Sequence, residues 1–136
     1  MATLPSGLPD RVGDDEDLAR FLTQSSHFNA FMAKPSAFMP SPTDRKTSVS
    51  RHGSDPSDAF WALGRQAAGG RNLHGAAVFK AHVVRSAQLQ VLADEPPPRH
   101  AVITGWPWLE KDPELQKAKQ KELASQIASR AALVLI

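Results

Sequence analysis

Three consecutive prolines, Pro96-Pro97-Pro98, restrict this chain more than any other feature. None has a backbone N–H to donate and each holds φ at about −65°, so neither a helix nor a sheet ladder runs through them. They stand between two short apolar runs, Leu89–Ala93 and His100–Thr104, at the heart of the long apolar-rich stretch from Leu73 to Trp108. Two runs of strand formers around a stiff link predict a pair of strands with a rigid connector, which delivers Arg99 and His100 at its far end.

The remaining elements are read outward from that pair. Asp14-Asp15-Glu16-Asp17 has the acidic character of a helix start, where carboxylates meet free N–H groups and the positive end of the dipole. Leu18, Phe21 and Leu22 follow at helical spacing, which predicts a helix over residues 15–26. Thr47-Ser48-Val49-Ser50-Arg51 alternates and predicts a short strand. Asp55 as cap and Pro56 at the first position open a helix over 56–67, stopped by Gly69-Gly70. Residues 75–87 fit two templates. As a strand, Ala77, Phe79, Ala81 and Val83 share a side; as a helix, Ala76, Phe79, Val83, Val84 and Ala87 do. Length and the repeated alanine favour the helix. Asp112-Pro113-Glu114 opens a helix over 113–130 with Leu115, Ala118, Leu123, Ile127 and Ala131 as its buried stripe, and Leu133-Val134-Leu135-Ile136 predicts a strand over 132–136.

A chain of 136 residues is one domain by length. The expected architecture is α+β: a single domain over 14–136 with a small mixed sheet of about four strands (47–51, 89–93, 100–104, 132–136) covered by about four helices. Residues 1–13, with Pro5, Gly7, Pro9 and Gly13, read as a flexible leader.

Composition excludes several classes of function. With no cysteine there are no disulfides, thiolate metal sites or thiol nucleophiles. No apolar run approaches membrane-spanning length and no signal segment opens the chain, so a cytoplasmic protein with no membrane contact is expected. Phosphate-loop, dinucleotide and serine-nucleophile patterns are missing, and the histidines form no HExxH or close His/Asp cluster. No metal or cofactor is expected. Charge is unevenly placed: residues 1–44 hold 3 Lys/Arg against 6 Asp/Glu, and residues 45–100 hold 8 against 4. The middle of the chain is where an anion would be met.

Two dipeptides, Arg51-His52 and Arg99-His100, stand at the ends of predicted strands beside turns. Arginine grips phosphate in a bidentate fork and histidine moves protons near neutral pH, so the pairs are candidates for a shared rim. Such residues also serve only to solvate a sheet edge. Phosphate contact is assigned to Arg51, Arg71, Arg85 and Arg99. The proline-broken loop 28–42 carries Phe31, Met32, Phe38 and Met39, which either lie across the protein's own core or insert into a partner. Those four, with Trp106 and Trp108 around Pro107, form the expected partner surface. The function this favours is a small non-enzymatic binding or accessory protein in a protein or protein–nucleic-acid assembly, of the kind found in bacterial defence or toxin-related systems. Its partner is a protein, with RNA or DNA phosphate contacts besides; nothing in the chain fixes an oligomeric state. The competing class is a metal-independent ribonuclease-like enzyme with His52 and His100 as proton acceptor and donor.

Overall fold

The computed structural model describes residues 2–52 and 57–136. Six strands form one sheet: β1 (Asp17–Leu22), β2 (Thr47–Arg51), β3 (Gly75–Lys80), β4 (Gln90–Ala93), β5 (His100–Thr104) and β6 (Ala132–Leu135). Their order is β4-β5-β2-β1-β3-β6, and every pairing is antiparallel. The described residues add three helices, α1 (Asp58–Ala68), α2 (Ala81–Ser86) and α3 (Pro113–Ala128), and two single turns of 3-10 helix at Ser25–His27 and Pro35–Phe38. The class is therefore α+β, with six strands and three helices among the described residues in place of four and four, and with an antiparallel sheet in place of the mixed one expected.

Alternation along the strands sorts the core into two layers. Leu18 and Leu22 of β1, Val49 of β2, Ala77 and Phe79 of β3 and Ile103 of β5 join the larger layer. It is closed by α2, α3 and the Pro35–Phe38 turn, through Val84, Ile127 and Phe38 among others. The opposite side of the strands gives a smaller layer of Ala19, Phe21, Ala76 and Val78 under Phe60 of α1. Both sides of the central strands are thus buried.

That double burial explains why residues 15–26 form a strand and not the expected helix. Leu18, Ala19, Phe21 and Leu22 are all buried, two on each side, which a helix with one apolar stripe cannot achieve. Pairing supports it along the whole length of β3, from Asp17↔Lys80 to Leu22↔Gly75. The acidic run does not cap a helix; its carboxylates pair with cations brought in from later elements. Residues 75–87 are corrected in the same way. The strand template holds for Gly75–Lys80 and the helix template for Ala81–Ser86, with the change of period at Lys80.

Other expectations hold in place and shift in detail. The strands over 47–51, 89–93, 100–104 and 132–136 are present within a residue of those bounds, as β2, β4, β5 and β6. Helix α1 is capped by Ser57, whose hydroxyl accepts from the Phe60 N–H, and ends at Gly69 with φ 59°. Asp55 and Pro56, expected as cap and first position, lie outside the described residues. Helix α3 starts as read, with Asp112 accepting from the Leu115 N–H. Its buried face is Gln120, Ala124, Ile127 and Ala128, all from the middle of the helix onward; the helix packs on the Pro35–Phe38 turn, while Leu115 is 45% exposed. The segment read as a leader is tied to the domain: Val12 is buried, and the Pro9 and Arg11 carbonyls accept from Arg51.

Helix α1 lies close on β1 because Gly64 leaves room for the Phe21 ring. A Cβ built at Gly64 would stand 2.7 Å from two ring carbons of Phe21 and 2.9 Å from Leu73 Cδ2. Phe21 is itself held by Phe60, ring centroids 5.1 Å apart. A valine there gains only a few tenths of a kcal/mol in helix propensity over glycine and must push the helix off the sheet. Gly64→Val is expected to lower unfolding stability by about 1–3 kcal/mol, read as a lower urea midpoint with an unchanged slope.

Candidate functional site: a cationic cleft between helix α1 and the sheet

The two Arg-His dipeptides are neighbours. Ser50 pairs with His100 across β2 and β5, and the Arg51 N–H donates to the Arg99 carbonyl at 2.7 Å. Their side chains then part company. Arg51 is buried, and its guanidinium is spent on internal acceptors. Nε and Nη2 each reach a Glu16 carboxylate oxygen at 2.9 Å, and Nη1 and Nη2 reach the Pro9 and Arg11 carbonyls at 2.7 and 3.3 Å. With four of its five N–H groups donated internally and its side chain at 0% exposure, Arg51 cannot present its fork to a phosphate, which corrects its assignment.

Arg85 is withdrawn for a similar reason, since it donates to Asp14 Oδ1 and to the Val12 carbonyl, both at 2.6 Å. Arg99 has φ 66°, which breaks the pleat between it and His100. It turns towards a small hollow that it lines with His52, Ala59 and Ala62. His52 packs edge-on against Phe60, centroids 5.2 Å apart. His100 belongs to a different cleft, and its Nδ1 is held by the Asp94 carbonyl at 2.9 Å and carboxylate at 3.2 Å.

Three residues of the expected partner surface are also corrected. Phe38 is fully buried, edge-on to Phe79, because the Pro35–Phe38 turn is a lid on the larger core layer. Met39 packs against the same layer. Trp106 is buried there too, and its indole N–H has no hydrogen-bond partner among the described residues. Trp108 is half-buried with the Arg45 guanidinium 4.8 Å above its ring. Phe31 and Met32 do project: they are 89% and 45% exposed on a turn pinned by Asn29 Oδ1, which accepts from both of their N–H groups.

The best-formed concavity is a cleft of about 330 Å³ between α1 and the sheet. Its floor comes from Ala19, Arg20 and Phe21 of β1 and Ser48 and Ser50 of β2. Leu63, Gln66 and Ala67 of α1, with Arg71 just beyond the helix, form one wall. Pro97, Pro98 and His100 close the other side, so the proline link is a wall of the site as well as a connector.

Arg20 is the least expected member. The ladder between β1 and β2 runs through Leu18↔Arg51 and Ala19↔Ser50 and goes no further. In the opening beyond it, the Arg20 guanidinium donates from Nη1 to the Ser48 carbonyl at 3.0 Å and from Nε to the Ala37 carbonyl at 2.8 Å. Arg71 donates to the Ala68 and Ala67 carbonyls at the end of α1, where a cation suits the helix dipole. Among the described residues neither arginine has an ion-pair partner, and no carboxylate lines the cleft. Burial and then the Arg71 charge lower the pKa of Arg20, and burial and then Arg20 lower that of nearby His27. Both shifts mark a place where positive charge gathers without an anion.

Chemically, the cleft offers two guanidinium groups, the His100 ring and the hydroxyls of Ser48 and Ser50 beside the apolar sides of Phe21 and Leu63. That set grips an oxyanion through charge-assisted bonds. Sequence reasoning picked Arg71 and His100 and missed Arg20, Ser48 and Gln66. The available signal was Arg20 itself, a lone charge inside Leu18-Ala19-Arg20-Phe21-Leu22. Among the described residues no group of three or more His, Cys, Asp or Glu is placed to hold a metal ion, and no helix is long and apolar enough to cross a membrane. Comparison with protein families, curated proteins and solved structures finds no match for this chain.

Removing one partner of a buried ion pair leaves a charge without compensation, whereas an exposed pair contributes little. Glu16→Gln, which strands the buried Arg51, is expected to cost about 3 kcal/mol of unfolding stability. Asp14→Asn, at the more exposed Arg85 pair, is expected to cost less than about 1 kcal/mol. Urea titrations of both variants check the contrast.

Proposed function

We propose that the protein is a small non-enzymatic binding protein whose α1–sheet cleft holds a phosphate-type anion, acting within a cytoplasmic protein or protein–nucleic-acid assembly. One observation carries the proposal: Arg20 and Arg71 line the same cleft with no carboxylate among its lining residues. Arg20 is half-buried and Arg71 is exposed at the end of α1; the two like charges oppose one another, and an anion between them reverses the sign. The exposed Phe31–Met32 turn supports a protein partner, since its backbone is hydrogen-bonded and its apolar side chains stand in solvent.

The ribonuclease-like alternative needs His52 and His100 to act on one substrate. Their dipeptides are adjacent along β2 and β5, which favours it, but the two rings line different hollows, which share only Leu63 and Gln66. Binding is therefore the better supported function.

Phosphate also stabilises proteins non-specifically, so the informative quantity is a difference between variants. Phosphate is expected to raise the melting temperature of the wild type more than that of Arg71→Gln at matched ionic strength. At about ten times the dissociation constant the extra stabilisation is about 1.4 kcal/mol. Arg65→Gln, which removes an exposed charge outside the cleft, is expected to behave as wild type. An equal rise in all three proteins contradicts the proposal.

A further inference from the structure

We infer that the ligand of this cleft is a phosphomonoester of a small molecule with a compact apolar or aromatic body, and not the backbone of a nucleic acid. The inference rests on the anion-binding role proposed above and narrows it by charge, access and lining.

Charge comes first. Arg20 and Arg71 leave two positive charges uncompensated in the cleft, with the His100 ring beside them. A monoester phosphate carries about −1.5 to −2 at neutral pH, with a second pKa of about 6. A backbone diester carries a single charge and neutralises only one of the two guanidiniums. Electrostatic matching in a partly desolvated site therefore selects the dianion.

Access points the same way. Arg20 is anchored at the floor, in the opening between β1 and β2, with donors already committed to the Ser48 and Ala37 carbonyls. A phosphoryl group must come down between α1 and the Pro97–Pro98 wall to reach it. A terminal phosphoryl enters end-on, having one ester bond and three oxygens to present. A diester within a polymer has chain on both sides and meets the walls first. Polymer-binding surfaces of this chemistry carry arginines along an open track. Here Arg51 is buried and paired with Glu16, and beyond the cleft only Arg99 of the arginines assigned to phosphate, at the adjoining hollow, stands on the same side.

Lining supplies the rest. Leu63 and Ala67 on one side and Pro97 and Pro98 on the other give apolar surface above the floor, to which Phe21 adds its ring. The volume, about 330 Å³, lies at the low end of the range for small-molecule sites. Ser48, Ser50 and Gln66 leave room for a few hydrogen bonds to the body of the ligand.

Phenyl phosphate is a probe that combines the dianion with a compact ring, and methyl phenyl phosphate is its diester control. Calorimetric titration at low salt is expected to show saturable binding of phenyl phosphate with the diester at least about tenfold weaker. Arg71→Gln is expected to weaken phenyl phosphate by about tenfold or more, while Arg65→Gln changes it less than about twofold. Ala67→Phe, at an exposed helix position, keeps every charge and fills the apolar wall. It is expected to weaken phenyl phosphate more than inorganic phosphate, a readout independent of any instability in the arginine variant.

Equal affinity for monoester and diester overturns the inference and leaves anion binding standing. So does a 5′-phosphorylated oligonucleotide that binds about tenfold tighter than phenyl phosphate, which assigns the cleft to a polymer end. If neither ester nor inorganic phosphate binds, the anion-binding proposal fails with it.

Discussion

Glu16 grips the buried guanidinium of Arg51 with both carboxylate oxygens, and its acidic neighbours Asp14 and Asp17 pair with Arg85 and Lys80. This short acidic run neutralises three cations delivered by β2, β3 and α2, and so decides where positive charge is left over. Three of the eight Lys and Arg residues in the basic middle segment are in this way paired with the acidic first segment. What remains uncompensated in the sheet region is the pair Arg20 and Arg71, together with Arg99 at the next hollow. The site exists because the fold uses up its other options.

The same elements that bury the core position this residue of charge. β1 is central and covered on both sides, so its one arginine is half-buried. It settles into the opening where β1 and β2 stop pairing and satisfies itself on two carbonyls. Helix α1 comes close over Gly64 and brings the end of the helix, with Arg71, to the same side. The triple-proline link supplies the facing wall, and its stiffness means that the wall is in place before any ligand arrives.

Strands whose neighbours in sequence were turn signals were legible: β2, β4, β5 and β6 and helices α1 and α3 follow from prolines, glycines and caps. The misread element was β1, where Leu18, Phe21 and Leu22 match helical spacing and Ala19 was too small to count against it. Only the sheet, by burying Ala19 and Phe21 opposite Leu18 and Leu22, shows which period is used. The site was half legible. Arg71 and His100 were visible as residue types beside turns, but which arginines are spent on carboxylates is a property of long-range pairing. Arg51 and Arg85 meet acids 35 and 71 residues away, a separation that no local pattern encodes. Trp106 and Phe38, assigned to the partner surface, are buried in the protein's own core, which is the other outcome that large aromatic area favours.

The central claim is that Arg20 and Arg71, and not the paired arginines, receive the anion. Side-chain Nε–H resonances of arginine, followed by 15N-edited NMR during a titration with phenyl phosphate, test this directly. The account predicts saturable shifts at Arg20 and Arg71 and at the amides of Ser50 and His100, with Arg51 unmoved. Shifts confined to the exposed lysines of α3, or no shift at Arg20 and Arg71 at saturating ligand, would contradict it.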